Sequence, residues 1–157
     1  MLRKGSLGAF SALSLLVSGC GLNPSGDATQ GIVKFLGAVR RGDSVAIEAG
    51  LDRPALRNNL HDQLAEFGRA SSLDVGGGPS EFALDRMITT QSIRRAEAHS
   101  RLPAAPTLAE VGPLVRMADK THACLQDAAR KSCSLSFAKR GGRWRLVAMP
   151  ATEAEAL

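Results

Sequence analysis

Apolar and polar positions divide the chain into three regimes. Behind Arg3 and Lys4, an apolar run from Leu7 to Val17 ends at Ser18-Gly19-Cys20. From about residue 29 the spacing turns helical. Ile32, Phe35, Leu36 and Val39 share one face of a helix predicted over Thr29–Arg41, and Gly42 is placed to end it. Asp43 or Ser44 can cap a short second helix carrying Val45, Ile47 and Leu51. A third starts near Asp52, with Pro54 in its first turn and Leu56, Leu60, Leu64 and Phe67 as its buried stripe. The polar remainder of that helix, Arg57, Asn58, Asn59, His61, Asp62, Gln63 and Glu66, reads as a solvated face.

Val75-Gly76-Gly77-Gly78-Pro79 breaks the chain, and Ser80 then caps a helix carrying Phe82, Leu84, Met87 and Ile88. A P-loop would need a Lys-Ser/Thr pair where Pro79-Ser80-Glu81 stands, so the glycines are a loop. Thr90–His99 is helical again, and Pro103, Pro106 and Pro113 mark an irregular connector.

From about Met117 the period becomes two. Cys133, Leu135 and Phe137 point one way, and Ser132, Ser134 and Ser136 the other. Gly141-Gly142 is a two-residue hairpin turn that sets Phe137 opposite Leu146 and Leu135 opposite Ala148. A second turn, centred between Ala128 and Ala129, sets Cys124 opposite Cys133 and favours a disulfide between them. The fold class is therefore α+β: N-terminal helices closed by a small antiparallel β-meander. Helices wrapped on such a sheet resemble the cone-shaped nuclear-transport-factor-2-like fold.

The leader is too short to cross a bilayer as a helix, which needs about 20 apolar residues. Leu16-Val17-Ser18-Gly19-Cys20 resembles the lipobox of bacterial lipoproteins. That resemblance implies a signal peptide over 1–19, acyl chains on Cys20 and a lipidated tether over 20–28. A single domain then spans 29–150 and a flexible tail 151–157. Gly21, where inner-membrane retention signals place Asp, implies the periplasmic face of the outer membrane. Within the domain, Gly42-Asp43 followed by Asp52-x-Pro54-x-Leu56-Arg57-x-x-Leu60-x-x-Gln63-Leu64 resembles the bacterial domain-of-unknown-function family 2939. That family carries no catalytic residues over to this chain.

Composition narrows the function. Arg3 and Lys4 leave with the leader, so 20 basic residues become 18 against 15 acids, and the net charge of +5 falls to +3. So mild an excess, with no tyrosine and one tryptophan, excludes nucleic acid as a partner. No nucleophile elbow or zinc-protease motif occurs, and His61-Asp62 are helix neighbours that do not face one another. His99 stands alone beside Arg101. His122 shares a strand face with Cys124, but a metal site would lack a fourth ligand, so neither metal nor cofactor is expected. Lys139, Arg140, Arg143 and Arg145 surround the Gly141-Gly142 tip, as a solvated turn or as a contact for anionic lipid or an envelope polymer. The sequence thus points to a non-enzymatic, lipid-anchored envelope protein that binds or scaffolds, with its protein partners unspecified. Its alternative is a small-molecule pocket or a ketosteroid-isomerase-type enzyme, for which Asp52 and Asp85 are the acids best flanked by apolar residues.

Overall fold

The computed structural model describes residues 23–71 and 78–151. The leader, Cys20, the glycines at 76 and 77 and the tail beyond Ala151 lie outside them. Six α-helices precede the sheet in the described residues: α1 (Pro24–Arg41), α2 (Ser44–Ala49), α3 (Arg53–Ala70), α4 (Glu81–Met87), α5 (Thr90–Ala98) and α6 (Leu108–Val111). A 3-10 turn at Gly112–Leu114 leads into β1 (Val115–Met117), β2 (His122–Gln126), β3 (Cys133–Arg140) and β4 (Arg143–Ala148). The strands form one antiparallel sheet in chain order, so the α+β class and the meander are as predicted.

The helix starts follow their caps. Asp43, Asp52 and Ser80 each accept a hydrogen bond from the backbone three residues on, at Ala46, Ala55 and Ala83. The one displaced start is that of α1. Asn23 caps it through Ser25 N (3.2 Å), with Pro24 in its first turn, so residues 24–28 are helix rather than tether. Ala28 and Thr29 are already buried there. At the other end Gly42 adopts φ +69° and its N–H closes on Ala38 and Val39 carbonyls. Arg94 of α5 reaches back to donate to Val39 O (2.8 Å) and Arg40 O (3.1 Å), which joins the two helices end to side.

The core lies between these helices and one face of the sheet. Ile32, Leu36, Leu56, Leu60, Ile93, Leu125, Leu135, Phe137 and Leu146 are all essentially inaccessible to solvent. Phe35 and Phe137 meet edge to face at 5.6 Å. Three residues of the expected apolar faces are outside it, the first being Val45 of α2, which is 80% exposed. Phe67 is 60% exposed because beyond Leu64 only Gly68 of α3 is buried, and Phe82 is 72% exposed beneath Arg86.

Two bulges change the predicted register. Phe137 faces Leu146 as expected, but an extra residue at Val147 puts Ser136, not Leu135, opposite Ala148. On the other side the turn runs on through Lys131, held by Asp127 Oδ1 on the N–H groups of Ala129 and Arg130 (2.7 and 2.8 Å). Cys124 therefore faces Ser136, and Cys133 faces Gln126, rather than each other. The disulfide closes across this bulge, with Cα atoms 5.5 Å apart. Replacing both cysteines with serine should lower stability by about 2.5 kcal/mol on a chain-entropy account. Denaturation with and without reductant measures this, and identical curves would remove the bridge from the stability argument.

The polar side of α3 is not simply solvated. Gln63 donates to Met149 O (2.9 Å) and accepts from Ala151 N (2.9 Å), while Asn59 Oδ1 accepts from Met149 N (3.3 Å). These bonds pin the chain after β4, so Ala151 is held rather than frayed. The free edge of β4 is covered by Gly50–Asp52, where Leu146 N donates to Gly50 O (2.8 Å) and Asp52 N to Leu146 O (3.0 Å).

Candidate functional site

The β1–β2 turn and the β3–β4 turn lie at the same end of the sheet. Lys139 N donates to Thr121 O (2.7 Å) and so joins them. Gly141 and Gly142 both take positive φ (+54° and +76°), the two-residue turn that matches strand twist. Asp119 shapes the other turn. Its Oδ1 accepts from Thr121 N (2.6 Å) and His122 N (2.8 Å), and its Oδ2 faces His122 Nδ1 (2.8 Å). The Thr121 backbone and hydroxyl bonds, then the His122 ring, push the Asp119 carboxyl down to about 2.

Asp27, in the first turn of α1, fastens the helix to this end. Lys139 Nζ (2.7 Å) and Trp144 Nε1 (2.9 Å) both donate to its Oδ2. The Lys139 bond, then the Trp144 bond, hold the Asp27 carboxyl below its ordinary range. Helix and strand approach closely because residue 31 is glycine: a Cβ there would sit 2.8 Å from Trp144 Cβ. Gly31→Ala should therefore displace Trp144 and cost about 1–3 kcal/mol. Thermal melts read by the single tryptophan's fluorescence test it, and an unchanged midpoint and spectrum would refute the close packing.

The four basic residues nominated from sequence have different places. Lys139 pairs with Asp27, on the helix-facing side with buried Trp144. Arg140 and Arg143 are exposed and directly opposite one another across the strands. Arg140 Nε reaches Asp52 Oδ2 at 3.4 Å, while Arg143 meets no acid among the described residues. Arg145 lies two residues further along the same face, and its Nε is buried with no hydrogen-bond partner. Lys120, which the sequence reading missed, is exposed in the neighbouring turn. Beside this end, a solvent-open cleft of about 470 Å³ runs between α1, α2 and the tip, lined by Gln30, Lys34, Ala46, Gly142, Arg143 and Trp144 among others.

The two acids nominated for an enzyme both have partners. Asp52 caps α3 and meets Arg140. Asp85 accepts from Arg53 (3.2 Å) and Arg57 (3.1 Å). Contrary to the expectation from helix geometry, His61 Nδ1 comes within 3.6 Å of Asp62 Oδ1, with both side chains exposed, and His99 lies 3.9 Å from Asp127. Cys124 and Cys133 are oxidised, and among the described residues no group of three or more His, Cys, Asp or Glu could hold a metal ion. No helix among the described residues is long and apolar enough to cross a membrane.

Asp27 was missed because it fell in the stretch read as tether. Asn23-Pro24, a cap followed by proline with an acid in the first turn, was the available signal. Compared with known families, curated proteins and solved structures, the chain matches none, so the likeness to family 2939 rests on the quoted residues alone.

The depressed carboxyls give the stability a sign. Asp27, Asp119, Asp127 and Glu48 all titrate below their ordinary values. Their contribution is present above the unfolded carboxylate range near 4 and is lost as pH falls through the folded values. Melting temperature should be flat down to about pH 5 and fall toward pH 2. In Asp119→Asn the loss should shrink, and an acid limb unchanged by that substitution would contradict the assignment.

Proposed function

We propose that the protein is a non-enzymatic, lipid-anchored envelope protein. It is held by acyl chains on Cys20, at the periplasmic face of the outer membrane, where it binds or scaffolds. The observation that carries this reading is Val17-Ser18-Gly19-Cys20 behind a basic, apolar leader, followed within four residues by the capped start of a folded domain at Asn23-Pro24. The disulfide between Cys124 and Cys133 agrees with an oxidising compartment. The non-enzymatic part is supported by the engagement of Asp52 and Asp85 in caps and ion pairs rather than in a pocket.

Intact-mass analysis of the protein from a bacterial membrane fraction tests the anchor. The wild type should begin at Cys20 and carry the mass of its acyl groups, and Cys20→Ser should carry none. A wild-type chain with an unmodified Cys20 overturns the proposal.

A further inference from the structure

We infer that the turn end of the sheet is a docking face for the anionic lipid headgroups of the membrane that holds the protein. Lys120, Arg140 and Arg143 make the contact, and Arg145 stands behind them. The inference rests on the lipid anchor proposed above and adds an orientation to it.

Two independent features lead to it. The first is the path of the chain. From Cys20 to Asn23 it can span at most ~11 Å, even fully extended. Asn23 caps α1, and Asp27 in that helix's first turn is bonded to Lys139 and Trp144 beside the hairpin tip. An acylated Cys20 therefore brings the tip, and the Thr121 turn tied to it, close to the headgroups. The opposite end of the sheet, with the Asp127–Lys131 turn, points away.

The second feature is charge. Like charges directly opposite in a β ladder repel, yet Arg140 and Arg143 are such a pair, with Arg145 next along the same face. The acids nearby are already engaged: Asp27 by Lys139, Asp119 by its own turn and His122, and Asp52 by the α3 cap and Arg140. Among the described residues Arg143 and Lys120 pair with no acid, and Arg145 Nε has no acceptor. A layer of phosphate oxygens supplies what this face lacks, and planar guanidinium groups suit phosphate. Lys139, which the sequence grouped with these residues, is excluded because its ammonium belongs to Asp27.

The test uses the chain from residue 21 onward, which lacks the acylated residue and retains every core residue, from Ala28 to Met149. Binding is measured to vesicles of phosphatidylglycerol with phosphatidylcholine, and to phosphatidylcholine alone, at low and at physiological salt. Binding should require phosphatidylglycerol and weaken with salt. Replacing Lys120, Arg140 and Arg143 together with Gln should reduce it by about a hundred-fold, roughly five-fold for each charge removed. The control removes the same charge elsewhere, through Arg69→Gln, Arg130→Gln and Lys131→Gln, and should bind nearly as the parent does. Circular dichroism and melting of both variants confirm that each is folded. Equal binding to the two vesicle types, or equal weakening by the two triple variants, overturns the docking face. Because the acyl groups are scored separately by mass, an unmodified Cys20 with intact vesicle binding removes the anchor alone. An acylated Cys20 without such binding removes the docking face alone.

Discussion

Phe137→Ala should destabilise the protein by about 3–5 kcal/mol, a large part of the 5–15 kcal/mol typical of a domain. Phe137 is 1% exposed, in the middle of β3, where it faces Ala123 on one side and Leu146 on the other. Its ring meets Phe35 of α1 edge to face, so it is one of the contacts through which the first helix rests on the sheet, besides those of Asp27 and Gly31 near the tip. Ala123 and Leu146 belong to a ladder and cannot collapse into the space a truncated side chain leaves. The cost should therefore include a cavity as well as the lost burial. Phe137→Leu, which keeps most of the volume, should cost distinctly less. Urea denaturation of the three proteins decides the matter. A midpoint for Phe137→Ala equal to that of the parent would mean that the core is not assembled around this ring.

Arg40→Ala should cost a similar amount, about 3–5 kcal/mol, for a different reason. Glu97 is 3% exposed, and its carboxylate is paired with Arg40 through Nε (3.0 Å) and Nη2. Arg40 also donates to the carbonyls of Leu102 and Pro103, so one guanidinium fixes α1, α5 and the connector after α5. Without it a buried charge is left unpaired. The pair itself is not a large source of stability, since taking two charges from water offsets most of their attraction. Replacing both, as Arg40→Met with Glu97→Met, should therefore recover most of the loss. Denaturation of the single and double variants makes the comparison as a cycle. A double variant as unstable as Arg40→Ala would place the effect in the carbonyl contacts rather than in the orphaned carboxylate.

The hairpin tip and these core contacts belong to one arrangement. α1 presents Phe35 to the sheet near its middle and Asp27 to the hairpin near its start. Variants that loosen the first should leave the second mobile relative to the tip. Asp27→Asn, by contrast, should disturb Trp144 and Lys139 without opening the core.

What the sequence determined by itself was local. A capping side chain acts within three residues, so Asp52 and Ser80 were legible as helix starts and the cap of α2 was narrowed to Asp43 or Ser44, of which the structure shows Asp43. A pair of glycines between alternating runs could be read as a turn because the required backbone conformation involves only those two residues. The α+β class followed from where the hydrophobic period changes. The tertiary structure alone decided what depends on distant partners. Asp27 meets Lys139 across 112 residues and Trp144 across 117, and Gln63 holds Met149 across 86. No periodicity over a short window encodes such meetings. The bulges at Val147 and after Leu125 were equally hidden, because one extra residue in a strand leaves the polar and apolar alternation almost unchanged while it moves every pairing beyond it. The basic residues around the tip were visible as composition. Which of them remained without an acid was settled by Asp27 and Asp52, two carboxylates that the fold, not the local sequence, brings to that end.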